Sequence, residues 1–130
     1  MSLQCPCQSA LLYEQCCARW HTGDSYLQAP SAELLMRSRY SAFVLDKLDY
    51  LLATWHPSTR PQSLEANPPN LKWLGLEIRN HCTADSQHHY VEFVARNRFA
   101  GRATRLHEIS HFIHENGQWF YVDGEFIERP

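Results

Sequence analysis

The sequence Cys5-Pro6-Cys7-Gln8-Ser9, followed by Cys16-Cys17, places four of the five cysteines of the chain within thirteen residues. Thiols clustered in this way are zinc ligands, disulfide partners or a redox pair. A closed structural zinc site has four ligands in a tetrahedral shell, with Zn–S bonds of about 2.3 Å. Residues 1–29 show no sustained apolar period, so metal binding is expected to dominate the stability of this segment. We therefore predict a structural Zn²⁺ site with the ligands Cys5, Cys7, Cys16 and Cys17.

The choice between zinc and disulfides depends on the compartment. No stretch of about 18 apolar residues is present that would span a bilayer, and the N-terminus lacks the basic and apolar segments of a signal peptide. These features predict a cytoplasmic protein, and in a reducing compartment metal explains clustered thiols better than disulfides do. Two alternatives stay open. Either Cys5 and Cys7 are incidental and Cys16 and Cys17 are small buried residues, or His21 replaces one of the cysteines as a ligand.

Composition limits the classes of partner and the number of domains. The chain has 12 basic and 14 acidic residues and a net charge of −2, whereas nucleic-acid binding usually requires a basic face. Neither nucleic acid nor a membrane is therefore expected as a partner. A length of 130 residues with 44% apolar content suffices for one domain with a hydrophobic core. We predict a zinc module at residues 1–29 and an α+β domain at residues 30–130.

Two helices are predicted at the start of the larger domain. Ser31 is a suitable N-cap, and apolar residues then recur at spacings of three and four, which predicts a helix over about 32–45. A second short helix carries Tyr50 to Trp55 and ends before Pro57, because the residue preceding proline is pushed out of the α region. Residues 56–70 contain four prolines and form a long connection or a lid, of which the plain connection is favoured.

The remainder of the chain is rich in β-branched and aromatic residues, which predicts four strands in an antiparallel meander. The predicted strands are 71–80, 89–99, 106–115 and a last strand that begins with Trp119-Phe120-Tyr121-Val122. Asn116-Gly117 marks the last hairpin turn, because both residues tolerate positive φ. In the third strand, one face carries Leu106, Glu108, Ser110 and Phe112, and the other carries His107, Ile109, His111 and Ile113. One face is expected to pack on the helices, and the zinc module or a partner is expected to cover part of the other.

The segment His107-Glu108-Ile109-Ser110-His111 matches H-E-x-x-H, a zinc protease signature in which a helix places both histidines on one metal. Here the segment leads directly into the Asn116-Gly117 turn and an aromatic strand, which favours an extended conformation. On a strand the two histidines lie about 13 Å apart, too far to share a metal. We therefore predict histidines at solvent or at an interface rather than a metalloprotease site.

The cysteine pattern resembles the SEC-C motif, a C-x-C-x8-C-[HC] zinc module found at the C-terminus of the SecA translocase. The resemblance rests on Cys5-Pro6-Cys7-Gln8-Ser9 and Cys16-Cys17. Ala10 stands where that motif prefers glycine, which leaves the construction of the turn after Ser9 open.

Nearly the whole chain is similar to the bacterial YchJ family. The similar segments are Arg37–Phe43, Thr54–Arg60 and Trp119–Gly124. The resemblance implies a SEC-C module joined to a cone-like domain similar to nuclear transport factor 2, in which helices pack on a curved four-stranded antiparallel sheet. It implies no established activity.

Folds of this type resemble ketosteroid isomerase, whose pocket lies between sheet and helices and uses buried carboxylates. The candidate pocket residues are Arg39, Tyr40, Glu108 and Asp123. A buried Glu108–Arg39 pair, or hydrogen bonds that satisfy these groups, is the favoured alternative because no spacing forces them to converge. Core packing is likewise favoured for the aromatic residues Trp55, Trp73, Trp119 and Tyr121. Cys82 is expected to be an ordinary thiol, and no catalytic residue is assigned.

Two hypotheses about function follow. In the first, the zinc module docks a protein partner, as the SEC-C resemblance implies, and the larger domain is a scaffold. In the second, the larger domain binds or transforms a small molecule in its concavity. Fold analogy alone does not establish an activity, so the first hypothesis is preferred.

Overall fold

A computed structural model describes residues 3–127. A 3-10 turn at Tyr13–Gln15 precedes three helices, which are α1 (Ala18–His21), α2 (Ala32–Val44) and α3 (Leu48–Ala53). Four strands follow, which are β1 (Leu71–Thr83), β2 (His88–Phe99), β3 (Arg102–Glu115) and β4 (Gln118–Phe126). This is the predicted α+β fold with a four-stranded antiparallel sheet.

Helix α2 forms where the sequence predicts it. The hydroxyl of Ser31 accepts a hydrogen bond from the backbone N–H of Leu34 at 3.1 Å, so the predicted N-cap is confirmed. The helix ends at Val44, and the chain then turns at Asp46, whose φ of 56° is left-handed. Its inward face is buried against α3 and the sheet, and carries Leu35, Met36, Arg39 and Tyr40.

The sheet has the order β1-β2-β3-β4, and each strand pairs with its neighbour in the sequence. Asn116-Gly117 forms the last turn with φ values of 53° and 77°, as predicted for a type I′ hairpin. Ala100-Gly101 forms a similar turn with φ values of 51° and 81°. Alanine disfavours this conformation, so the sequence gives no clear turn signal there, and β3 begins four residues before the predicted residue 106.

Irregular pairing curves the sheet at three places, and one of them determines which residues face the helices. Phe112 of β3 pairs with Tyr121 of β4, but the preceding His111 pairs with Asp123. Val122 is therefore an extra residue in β4. Beyond this bulge, the side chains of β4 have exchanged faces relative to simple alternation.

The two faces of the sheet differ as the alternation of β3 predicts. The face that carries Glu108, Ser110 and Phe112 packs towards α2 and α3 and is here named the inner face. On the outer face, His107 bonds Glu92 of β2 at 2.7 Å, whereas His111 contacts His88 at 3.0 Å. The two histidines of the H-E-x-x-H sequence thus lie on a strand and have separate partners, which confirms the extended conformation. The predicted position at solvent or at an interface is wrong for His107, which is buried.

The connection of residues 56–70 has no helix or strand, as predicted, but it is fixed at both ends. The backbone N–H of His56 donates to the carbonyl of Tyr121 at 2.7 Å. Near the other end, the side-chain amide of Asn67 donates to the carbonyl of Phe43 at 2.6 Å. None of the helices within residues 3–127 has the length and apolar content that crossing a membrane requires.

Candidate metal centre and inner cavity

The side chains of Cys5, Cys7, Cys16 and Cys17 come together in one buried cluster. Their four sulfur atoms all lie within 4.8 Å of one another. The Cys7–Cys16 and Cys16–Cys17 sulfur separations are 3.6 and 3.9 Å. A tetrahedron with metal–sulfur bonds of about 2.3 Å has edges of about 3.8 Å, so the donor set suits a single metal ion.

Two tight backbone segments bring the cysteines together. The first pair lies on a loop in which the N–H of Cys5 donates to the carbonyl of Leu11 at 2.9 Å. Gln8 and Ala10 both adopt left-handed φ values, of 64° and 73°. Ala10 therefore takes the conformation for which glycine is preferred, and the turn is built with an alanine in a glycine-type position. The second pair directly precedes α1.

Polar groups outside the cluster hold the sulfur atoms and the loop in place. The hydroxyl of Ser9 lies 3.2 Å from the sulfur of Cys16, and that of Ser41 lies 3.4 Å from the sulfur of Cys5. Arg37 of α2 donates to the carbonyl of Cys7 at 2.9 Å. Hydrogen bonds to metal-bound sulfur orient the ligands, so the larger domain supplies part of the environment of this site.

The thiols strongly affect one another's ionisation. The Cys17 thiol hydrogen-bonds to Cys5 and lowers the pKa of Cys5, and the same contact raises the pKa of Cys17. Without a cation, the cluster therefore accommodates one thiolate far more readily than several. A divalent cation removes this restriction because it offsets the charge of several thiolates.

His21, the alternative ligand, lies outside the cluster. Its Nδ1 lies 2.7 Å from the hydroxyl of Tyr13, and its Nε2 lies 2.8 Å from the carbonyl of Ser38. Nε2 therefore donates to the carbonyl, and Nδ1 accepts from the tyrosine. Both ring nitrogens are engaged, and the imidazole joins the cysteine module to α2. The module was expected to cover part of the outer face of the sheet, but its contacts lie elsewhere. Cys7 bonds Arg37 of α2, and Gln8 bonds Leu74 in the edge strand β1.

A second candidate site is a cavity of about 270 Å³ between α2 and the inner face of the sheet. Its walls are mainly apolar and aromatic. The apolar and aromatic lining residues are Met36, Tyr40, Phe43, Trp55, Trp73, Phe93, Ala95, Leu106, Tyr121 and Phe126. Polar side chains at this cavity are those of Arg39, Glu108 and Ser110, besides the tyrosine hydroxyls. Such a combination of apolar walls and a few polar groups is typical of small-molecule sites.

Arg39 enters the cavity from α2 and is only 3% exposed. Its Nη1 donates to the carbonyl of Leu51 at 2.8 Å and to the hydroxyl of Thr54 at 2.7 Å, at the end of α3. The guanidinium carbon lies over the rings of Trp55 and Tyr121, at 5.0 and 4.7 Å from their centroids, and the two rings contact each other edge-to-face. Burial lowers the pKa of Arg39 to about 10, so the group stays charged at neutral pH.

Glu108 lies on β3 and is 7% exposed. Its Oε2 accepts hydrogen bonds from the hydroxyls of Ser110 at 2.5 Å and Tyr121 at 3.5 Å. Burial raises the pKa of Glu108, and these hydroxyls and the positive charge of Arg39 oppose that rise. A Cβ at Gly124 would overlap the carboxylate, so glycine leaves the space that Glu108 occupies.

Three of the four predicted pocket residues, Arg39, Tyr40 and Glu108, line this cavity, and Asp123 does not. The β4 bulge places Asp123 opposite His111 on the outer face, where its carboxylate lies 3.4 Å from the imidazole. Arg39 and Glu108 form no direct ion pair within 4.0 Å among residues 3–127, so the buried pair considered above does not form. Hydrogen bonds to other groups hold each of them instead.

Several residues of both sites have no signal in the sequence. Ser41 approaches the cysteines from α2, and Gly124 accommodates Glu108 only because the bulge turns it inward. The bulge in β4 has valine, not glycine or proline, as its extra residue, so no local sequence pattern predicts it. Of the aromatic residues considered, Trp55, Trp73 and Tyr121 line the cavity. Trp119 packs instead against His89, with ring centroids 4.6 Å apart.

Comparison with known proteins identifies both parts of the chain. A family model described as "YchJ, middle NTF2-like domain" matches residues 31–124, and a model of the SEC-C motif matches residues 1–19. The fold and the cysteine cluster therefore define a SEC-C motif protein with a domain like nuclear transport factor 2. The chain belongs to the YchJ family, whose curated relatives carry the name UPF0225.

The similarity extends over almost the full length of known relatives. A UPF0225 protein of Bordetella pertussis is 62% identical over 93% of this chain and 91% of its own length. One from Methylibium petroleiphilum is 58% identical over 98% of this chain and 91% of its own length. A SEC-C motif containing protein from Rhodopseudomonas palustris, solved in solution, has a TM-score of 0.80 at 29% identity, covering 97% of this chain and all of that one. The crystal structure of a similar protein from Psychrobacter arcticus has a TM-score of 0.79 at 31% identity, covering 99% of this chain and 86% of that one.

Proposed function

We propose that the protein binds one Zn²⁺ ion through Cys5, Cys7, Cys16 and Cys17, in a closed structural site. The observation that supports this proposal is the buried set of four sulfur atoms within 4.8 Å of one another. Four thiolates favour zinc over the hard cations Mg²⁺ and Ca²⁺, and they leave no coordination position for a substrate. We further propose that residues 1–29 are the unit organised by the metal and that residues 30–130 form the α+β unit.

Metal analysis of the purified protein tests the site. We expect about one zinc per chain, and expect Co²⁺ substitution to give the visible absorption of a tetrahedral thiolate centre. Cys16→Ser should lose most of the metal, whereas Cys82→Ser should retain it, because Cys82 is exposed and outside the cluster. Full zinc content in Cys16→Ser and Cys17→Ser would contradict the proposal.

The metal-organised module serves, in this proposal, to dock a protein partner in the cytoplasm. Leu3 and Leu11 support this role, because their side chains are 72% and 47% exposed. Their backbones are nevertheless fixed, since the carbonyl of each accepts a hydrogen bond within the module. Two apolar side chains on a fixed backbone suit an apolar groove on a partner. Without a partner, both side chains remain in contact with water.

Partner binding should therefore depend on both the module's fold and these two leucines. We expect Leu3→Ser/Leu11→Ser to lose a partner that the wild-type protein captures, while retaining zinc. Cys16→Ser/Cys17→Ser should lose both the partner and zinc. Leu45→Ser is a matched control, because Leu45 is an exposed leucine outside the module. Capture that survives the cysteine substitutions would exclude docking through this module.

A second candidate function, binding of a small molecule, is favoured by the inner cavity. Arg39 and Glu108 are both more than nine-tenths buried, and both line this cavity of about 270 Å³. Buried charges are costly unless they serve packing, hydrogen bonding or a ligand. No catalytic residue is assigned, because the cavity contains a carboxylate and a guanidinium but nothing that identifies a reaction.

A further inference from the structure

The polar end of the inner cavity has hydrogen-bond donors that the protein itself does not use. Both hydrogen bonds of Arg39 go through Nη1, so Nε and Nη2 have no partner within residues 3–127. The ring of Trp55 lies under the same guanidinium, and its indole nitrogen is buried and has no partner within residues 3–127 either. An unpaired buried donor such as the Trp55 nitrogen is rare and costly, and Arg39, which lines the same cavity, has free donors beside it, so these groups are suited to an acceptor atom in the cavity.

An acceptor is available at the same cavity, on β3. The hydroxyls of Ser110 and Tyr121 both donate to Oε2 of Glu108, and within the described chain no hydrogen bond involves Oε1. Arg39 and Glu108 thus lie at one cavity, carry opposite charges and make no direct ion pair. A ligand group that accepts at Arg39 and donates to Glu108 would satisfy both of them.

We propose that the inner cavity binds an uncharged planar molecule of one or two rings that carries a carboxamide. The amide oxygen accepts from Arg39 and Trp55, the amide nitrogen donates to Glu108, and the rings pack between Trp73, Phe93 and Leu106. This inference rests on the small-molecule function proposed above. The cavity volume of about 270 Å³ exceeds the 150 Å³ or so that encloses a benzene molecule, and it therefore has room for the rings and one polar group.

Charge distinguishes the carboxamide from other polar groups. The cavity already holds one guanidinium and one carboxylate, so a neutral ligand keeps its net charge at zero. A carboxylate ligand has no donor for Glu108, and its negative charge is repelled by that of Glu108. An ammonium ligand would place a second positive charge beside Arg39, which repels it. Burial raises the pKa of Glu108, and the two hydroxyl groups and the charge of Arg39 oppose that rise; in its ionised form, Glu108 requires a donor rather than another acceptor from the ligand.

The test uses naphthalene-2-carboxamide, naphthalene-2-carboxylate and naphthalene as probes of one ring system with three different polar ends. Binding to the zinc-loaded protein is followed at about pH 8, above the ordinary carboxyl range, through the indole N–H signals in proton–nitrogen correlation spectra. The chain has four tryptophans. We expect the carboxamide to shift the signals of Trp55 and Trp73, which line the cavity, and to leave those of Trp20 and Trp119 unchanged.

Two substitutions test the polar contacts. Trp55→Phe keeps a ring over Arg39 but removes the indole donor, and it should weaken carboxamide binding about fivefold, the value of one net hydrogen bond. Trp119→Phe, outside the cavity, is the matched control and should leave affinity unchanged. Glu108→Gln removes the negative charge at nearly constant shape, and should reduce the preference for carboxamide over carboxylate at least about tenfold. This preference is a ratio measured on one protein, so it does not depend on the stability of the variant.

Each remaining outcome contradicts a defined part of the proposal. If none of the probes shifts Trp55 or Trp73, water alone occupies the cavity and the small-molecule function itself is wrong for ligands of this size. If naphthalene and the carboxamide bind equally well, or if the carboxylate binds more tightly, the cavity binds ligands but the carboxamide inference is wrong. An unchanged preference in Glu108→Gln leads to the same conclusion. Shifts at Trp20 or Trp119 would place the ligand elsewhere.

Discussion

At the residue scale, Ala10 occupies a backbone conformation that suits glycine. Its φ of 73° is left-handed and its side chain is exposed, so no packing interaction compensates for the strain. We expect Ala10→Gly to increase the free energy of unfolding of the zinc-loaded protein by roughly 1 kcal/mol, measured by urea denaturation. Ala103→Gly, at an exposed strand position with ordinary φ, should instead decrease it. Equal effects of the two substitutions would show that the φ of Ala10 carries no cost.

Gly124 has a different constraint. Its backbone conformation suits any residue, but the space beside it is too small for a side chain. An added Cβ meets the carboxylate of Glu108, so Gly124→Ala should lower the free energy of unfolding by about 1–3 kcal/mol. In a Glu108→Ala background the same substitution should cost much less, and a double-mutant cycle measures that difference. Additive effects would mean that Glu108 is not the obstacle.

These residues also show what the sequence can and cannot predict at this scale. Arg39, Glu108 and Asp123 are pocket candidates because they are polar groups on the helix and strands that enclose the pocket in folds of this type. In a regular strand Asp123 would share a face with Tyr121, two residues before it. The extra residue Val122 reverses that relation. A bulge depends on how two strands pair, so it cannot be predicted from the sequence of one strand alone.

At the element scale, His21 joins the cysteine module to α2 through Tyr13 and the carbonyl of Ser38. Burial lowers the pKa of His21, so between that value and the ordinary value of about 6.5 the unfolded chain binds more protons than the folded one. The contribution of His21 to stability is therefore fully present above about pH 6.5, and it is lost as the pH falls below that value.

A comparison of wild type with His21→Gln tests this pH dependence. We expect the difference between their free energies of unfolding to shrink as the pH falls from about 7.5 to about 5.5, measured by urea denaturation at each pH. Acid weakens metal binding in both proteins, so their difference is the quantity that reports His21. A difference that does not change with pH would contradict the role assigned to the neutral imidazole.

The elements themselves were predictable where local signals agree with tertiary packing. The Ser31 cap and the Asn116-Gly117 turn are examples, because each signal is complete within a few residues. The turn at Ala100-Gly101 was not predictable, since alanine does not favour its left-handed φ and pairing of β2 with β3 imposes it. The packing of the module on α2 depends on contacts between distant residues, such as Arg37 with Cys7, which no local pattern records.

At the scale of the whole molecule, the segment that carries the four cysteines has only a 3-10 turn and a four-residue helix, whereas the sheet begins at Leu71. One buried core includes the cysteines and Trp20 together with residues of α2 and the sheet, so the metal and the sheet stabilise neighbouring parts of the same core. We expect a chelator that removes the metal to unfold the module and leave the sheet folded. In proton–nitrogen correlation spectra, the indole signal of Trp20 should then move to its unfolded position while that of Trp119 stays. Loss of both signals together would show that the two units unfold as one.

The order of the strands also has a consequence for synthesis. Each strand pairs with the one made just before it, and the four clustered cysteines precede α2 and the sheet, so most of the fold can form as the chain emerges. The inner cavity is different, because Tyr121 and Phe126 in its wall come from β4, which is the last strand within residues 3–127 and also bonds Thr54 and His56. The cavity therefore stays incomplete until β4 has paired with β3, and a nascent chain that ends before Tyr121 lacks part of its polar end.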